Sequence, residues 1–212
     1  MPVEQADAEV VGIDRLLALS DGVFAIALTL LVLDLHEPTV SHGVLGVVLR
    51  QWPAYLSYAL SFLIIGIIWA QHHLMFRFIQ RTDHVFILIN VIFLMWVAVV
   101  PYPTGLLARY LDNPTERQTA IAIYTGVFAL GGVLANLWWL YASRGDRLLR
   151  DKVDRAEVRK LTWNYAVGPV FYMLAFALSF VSPPAGVALI VLTNLFYAVS
   201  PLLARFLPSG SA

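Results

Sequence analysis

Ser20, Asp21 and Thr29 are polar residues inside an otherwise apolar run, Arg15 to Leu35, reading RLLALSDGVFAIALTLLVLDL. An ionisable group within a membrane helix costs about 3 kcal/mol on an insertion scale unless it is paired or hydrated. Asp21 is therefore expected to face neighbouring helices and not lipid. Two other apolar runs bring polar groups to a similar depth: His72 and His73 in WAQHHLMF, and Asn90 in DHVFILIN. The imidazoles or the Asn90 amide can hydrogen-bond Ser20 and Asp21, satisfying groups that lipid cannot. Arg15 offers an ion partner nearby. This cluster can act as a lock between helices, as a cytoplasmic gate or its hinge, or as a proton relay between Asp21 and a histidine. A metal site is not expected from His72 and His73, because adjacent residues diverge by about 100° on a helix whereas helical ligand pairs sit four apart.

The same run has a second face. At about 100° per residue, Gly22, Ile26, Thr29, Leu30 and Leu33 fall within an arc of about 100°, and Ser20 and Asp21 fall outside it. The stripe has close to heptad spacing. Ile, Leu and Gly in a row are also what helices use to pack on one another. The wheel alone does not tell a packing seam from a pore lining.

The elements that position these residues follow from composition. The chain has 212 residues, 59% of them hydrophobic and only 13% charged. A soluble domain carries about 25% charged residues. These values indicate an all-α integral membrane protein. Formal net charge is zero, which gives no basic footprint for nucleic acid. The absence of cysteine removes disulfides, thiolate metal sites and thiol catalysis. No nucleophile–base set or metal-ligand spacing points to an enzyme, and no cofactor or bound metal is expected.

A bilayer crossing needs about 20 apolar residues. Six stretches qualify: 15–35, 53–76, 84–109, 118–142, 161–181 and 185–206. They predict one six-helix membrane domain over 1–212. Asp14 stands where it can cap the first helix. The acidic start, Met1 to Asp14, and the length of the first run predict a retained span and not a cleaved leader. Six spans put the termini and the second and fourth loops on one side. That side holds Arg15, Arg77, Arg81, Arg144, Arg147, Arg150, Lys152, Arg155, Arg159, Lys160 and Arg205 out of 14 Lys and Arg, leaving only Arg50, Arg109 and Arg117 opposite. Both termini are therefore expected in the cytoplasm. Trp52, Tyr55, Trp96, Tyr102, Trp138, Trp139, Tyr141 and Trp163 lie near span ends and read as interfacial belts. The mixed-charge segment 144–160 reads as a solvated loop with some helix, or as a lipid-headgroup contact.

The motif Arg15-Leu-Leu-Ala-Leu19-Ser20-Asp21 resembles the R-x-x-x-F-S-D signature of the transmembrane protein 175 family of potassium channels, with Leu19 where the family has Phe. WAQHHLMF and the stretch from Asn90 to Pro101-Tyr-Pro-Thr104 also look like that family, so the likeness extends over nearly the whole chain. The resemblance implies a homotetramer in a prokaryotic cell membrane, with the first helix of each subunit lining a central pore. It also implies a hydrophobic constriction at Ile26, an influence of Thr29 on ion preference, and further apolar rings at Leu30 and Leu33. No loop here resembles a Thr-Val-Gly-Tyr-Gly carbonyl filter. Its permeant partners are potassium and related monovalent cations, held only transiently.

The expectation is thus a potassium-preferring cation channel. A small secondary or proton-coupled transporter using Asp21, His72 and His73 is the alternative; inverted repeats, which would favour it, are not evident. A non-transporting protein with merely packed helices is a third reading.

Overall fold

Helix α1 (Pro2–Leu30) ends in a tight 3-10 turn, Leu31–Asp34. After it come a short helix α2 (Gly43–Arg50), then α3 (Trp52–Phe76), α4 (His84–Val99) and α5 (Pro101–Tyr110). The remainder is α6 (Arg117–Ser143), α7 (Arg155–Ser179) and α8 (Pro183–Phe206). This computed structural model describes residues 2–35 and 43–206, with side chains over 12–35 and 45–199 apart from Asp34 and Val47.

Among the described residues, five segments are long and apolar enough to cross a bilayer: Gly12–Leu33, Trp52–Phe76, His84–Tyr110, Arg117–Asp146 and Arg155–Ser179. The sixth expected span coincides with α8, whose described apolar part is Pro183–Val199. The chain is therefore an all-helical membrane protein.

Several boundaries differ from expectation for identifiable reasons. Asp14 does not cap α1, because the helix already begins at Pro2 and Asp14 lies exposed within it. The helical part of the segment read as a solvated loop with some helix is Arg155 to Lys160, the first turns of α7, started by Asp154, whose carboxylate accepts the Ala156 N–H at 2.8 Å. The 84–109 span is two helices. Pro101 lacks an N–H and its ring crowds the preceding turn, so Val100 N–H bonds the Val97 carbonyl three residues back.

The 144–160 segment is also less solvated than expected. Leu148 and Leu149 are buried, and Leu149 pairs in a single antiparallel bridge with Ile79. Gln80 N–H donates to the Leu148 carbonyl at 2.8 Å and Arg150 N–H to the Phe78 carbonyl at 3.0 Å. The α3–α4 and α6–α7 connections thus meet at one end of the bundle. Gly145, at φ 66°, makes the left-handed turn that leaves α6.

α1 is divided lengthwise. Leu16, Ser20, Phe24, Ala27 and Leu31 are buried, at the alternating three- and four-residue spacing of one helix face. That face packs on α3, α4 and α5. One apolar cluster joins Phe24, Leu31, Ile64, Phe93, Tyr124 and Phe128; a second joins Leu16, Phe76, Phe86, Trp138, Trp139 and Leu149. The aromatic belts hold only in part. Trp52, Tyr55, Tyr102 and Trp163 are exposed, but Trp96, Trp138 and Trp139 are core residues.

Candidate functional site

Consecutive residues on α1 point about 100° apart, which separates Ser20 from Asp21. Ser20 is fully buried, and its hydroxyl donates to the Leu16 carbonyl at 2.8 Å. Asn90 on α4 donates through Nδ2 to Ser20 Oγ at 3.1 Å. The Asn90 carbonyl oxygen in turn faces Trp138 Nε1 at 3.0 Å and His72 Nε2 at 3.1 Å. Indole nitrogen can only donate. Trp138 therefore fixes which end of the Asn90 amide is oxygen, and His72 Nε2 must donate to it. The His72 ring is buried and stacks on Phe93 at 5.5 Å with planes 8° apart, between Phe24, Phe76 and Trp138. A single amide thus joins α1, α3, α4 and α6.

Asp21 lies outside this network. It is half-buried, and Oδ1 accepts from Trp69 Nε1 on α3 at 2.8 Å. No hydrogen bond joins it to His72 or His73 among the described residues. His73 is exposed and leans on the Trp69 ring at 5.7 Å. Arg15 is exposed and makes no ion pair among the described residues. Of the bonds open to the imidazoles and the Asn90 amide, that from Asn90 to Ser20 is present, whereas the Asp21 carboxylate is held by an indole.

Among the described residues nothing covers the stripe on α1. Ile26 is 60% exposed, Leu30 41% and Leu33 66%, and Gly22 and Thr29 are exposed too. Among the described residues, nothing beyond its own stretch of helix lies within 4 Å of where a Cβ on Gly22 would stand. Leu33 lies past the helix end in the 3-10 turn and keeps the outward direction. Thr29 Oγ1 donates to the Ile26 carbonyl at 2.8 Å, which turns oxygen lone pairs and not a proton toward the open side. Among the described residues the stripe is therefore not a packing seam within the chain. Among the described residues no group of three His, Asp or Glu could hold a metal ion.

Sequence reasoning placed Trp138 at an interface and assigned Trp69 no role. Both donate to the polar residues around α1. An indole within hydrogen-bond reach of a buried acceptor is a tertiary fact that spacing along the chain does not carry.

These features define a polytopic helical membrane protein whose first helix is locked by hydrogen bonds on one face and bare on another. The family model described as "Endosomal/lysosomal potassium channel TMEM175" matches residues 15–101, the segment carrying Ser20, Asp21, Trp69, His72 and Asn90. A potassium channel of Chamaesiphon minutus is 42% identical over 189 residues, covering 87% of this chain and 93% of that protein. One of Streptomyces collinus is 39% identical over 186 residues, covering 86% and 90%. The crystal structure of a lysosomal potassium-selective channel TMEM175 homolog from Chamaesiphon minutus superposes with a TM-score of 0.81 at 38% identity, over 90% of this chain and 98% of that one. The chain belongs to the TMEM175 family, as the motif at Arg15, Ser20 and Asp21 led one to expect.

Proposed function

We propose that this chain forms a potassium-preferring cation channel in which α1 of each subunit lines the permeation path. The observation that carries this reading is the exposure of Gly22, Ile26, Thr29, Leu30 and Leu33 while the opposite face of α1 is buried. An apolar stripe in a bilayer needs no partner by itself, since lipid tails are as apolar as leucine. What supports a pore over a lipid contact is the combination of that stripe with close relatives named potassium channels.

In this reading four copies pack with α1 at the centre. Ile26 forms the narrowest ring, closing the path by excluding water, and Leu30 and Leu33 form wider apolar rings. Thr29 oxygens, aimed outward, replace part of the hydration shell of a passing cation. Apolar rings offer few ion ligands, so the preference for potassium is modest. Ser20, Asn90 and His72 hold α1 at a fixed rotation, and Asp21 with Trp69 and Arg15 forms a polar collar at its cytoplasmic end. His73 flanks that collar. Each subunit crosses six times in a prokaryotic cell membrane, with α8 as the last crossing and both termini in the cytoplasm. The meeting of the Arg-rich α3–α4 and α6–α7 connections at one end supports that orientation.

The test is reconstitution into planar bilayers. Discrete conductance steps, larger in potassium than in sodium, are expected. Slow, saturable, electroneutral flux in place of steps would sink the channel reading.

A further inference from the structure

Next to the Ser20–Asn90–His72 network, among α3, α4, α6, α7 and α8, lies a cavity of about 70 Å³. Gln71, Trp96, Tyr197, His72, Asn136 and Asn194 all contribute to its wall. The first three have their polar side-chain atoms engaged. Gln71 donates to the Tyr197 carbonyl at 2.7 Å and accepts from the Tyr165 hydroxyl at 2.7 Å. Trp96 donates to the Val127 carbonyl at 2.7 Å, and the Tyr197 hydroxyl donates to the Asn164 carbonyl at 2.8 Å. Besides the Tyr172 hydroxyl, which neighbours the Asn194 amide, residues of the same wall present three further atoms: His72 Nδ1, Asn136 Nδ2 and Asn194 Oδ1. They are three of the four buried side-chain polar atoms without a hydrogen-bond partner among the described residues. His72 is 3% exposed and Asn194 2%.

The chemistry of each atom follows from its surroundings. His72 Nε2 must donate to the Asn90 carbonyl, so in the neutral ring Nδ1 carries a bare lone pair and accepts. Asn194 Nδ2 donates to the Ile190 carbonyl at 2.9 Å, which leaves Oδ1 as the acceptor without a partner among the described residues. Asn136 Nδ2 is a donor. Two acceptors and one donor match a water molecule, which has two O–H groups to give and lone pairs to receive. Buried polar groups in hydrocarbon surroundings need such partners.

Size points the same way. A water needs about 10–15 Å³ of such space, and a cavity that takes benzene measures about 150 Å³. At about 70 Å³ the space admits water and falls short of an aromatic ligand.

We propose that this cavity is a structural water site, in which one or two waters donate to His72 Nδ1 and Asn194 Oδ1 and accept from Asn136 Nδ2. The polar chain that begins at Ser20 on α1 then continues through Asn90 and His72 to α6 and α8. α8 is thereby hydrogen-bonded, through water, to the network that holds the helix with the bare stripe. This holds whether or not that stripe conducts ions.

The test is a structure of the full chain in lipid nanodiscs at a resolution that shows ordered water. Together with it, solid-state NMR of histidine-labelled protein reads the His72 tautomer and magnetisation transfer from water. Density in contact with all three atoms, an unprotonated Nδ1, and transfer to the His72 ring are expected. The double variant Asn136→Leu, Asn194→Leu should lose that transfer. A dry cavity, a protonated Nδ1 beside a bare Nε2, or direct bonds among the three side chains would overturn the proposal, as would unchanged transfer in the double variant. If the double variant does not fold, the density and the wild-type tautomer still decide.

Discussion

Asn90 Nδ2 stands 3.1 Å from Ser20 Oγ, and this contact, made between two fully buried side chains, pins the rotation of α1 against α4. Because the uncovered stripe lies on another side of the same helix, whatever fixes Ser20 also fixes which residues Ile26 and Thr29 can meet.

Asn90→Leu should therefore destabilise the fold strongly. It strands the Trp138 and His72 donors and removes the donor to Ser20. A stranded buried donor costs about 1–3 kcal/mol in water-soluble proteins and less in membranes. The expected loss is about 2–4 kcal/mol, read by unfolding in mixed micelles. A loss below about 0.5 kcal/mol would mean that the network carries little.

Ile26→Asn tests the proposed constriction. A hydrophilic ring should raise conductance and blunt the preference for potassium over sodium. Unchanged single-channel currents from a folded, assembled variant would remove Ile26 from the pore.

The Asp21–Trp69 pair predicts an order of effects. Asp21→Asn keeps an oxygen for the indole to donate to. Trp69→Phe leaves a half-buried carboxylate without that donor and should cost about 1 kcal/mol more than Asp21→Asn. The reverse order in unfolding measurements would show that the charge and not the hydrogen bond is what matters there. Normal assembly of Asp21→Asn with altered open probability would favour a gating role over a lock.

Two glycine substitutions should behave oppositely. A Cβ on Gly131 falls onto the Trp96 indole, which is itself tied to Val127. Gly131→Ala should cost about 1–3 kcal/mol through overpacking and alter the near-ultraviolet tryptophan signal. Nothing stands within 4 Å of a Cβ on Gly66. Gly66→Ala should be neutral or stabilise by up to about 1 kcal/mol, from helix propensity. Equal melting temperatures for the two variants would contradict this packing.

Asp83 predicts a pH dependence. Partial desolvation pushes its carboxyl up, but the Phe86 N–H, the Tyr141 hydroxyl and the Arg147 guanidinium together hold it below the ordinary aspartate value. A depressed carboxyl contributes stability that is fully present above the ordinary aspartate pKa. That contribution is lost as pH falls through the lower, folded-state value. Melting measured downward from pH 6 should show a loss in the wild type that Asp83→Asn lacks, since Asn caps a helix without titrating. Parallel curves would remove Asp83 as the source.

Much of the architecture was readable because a bilayer imposes it. Apolar runs of helix length must cross, backbone groups must bond within their own helix, and Arg and Lys collect on one side. The sequence by itself therefore determined the membrane class, five of the crossings to within a few residues at most ends, the two faces of α1, and the motif that assigns the family. It also brought Ser20, His72 and Asn90 to a common depth. Tertiary structure alone decided which of them touch. Depth along a helix follows from residue number, but rotation about its axis relative to a neighbour follows from packing. That is why Trp138 moved from expected belt to network donor, why Asp21 went to Trp69 and not to a histidine, and why Leu149 was drawn from solvent onto Ile79. The stripe on α1 was legible as a stripe from its 100° steps. That no other described helix of the chain covers it could be learned only once the other helices had taken their places.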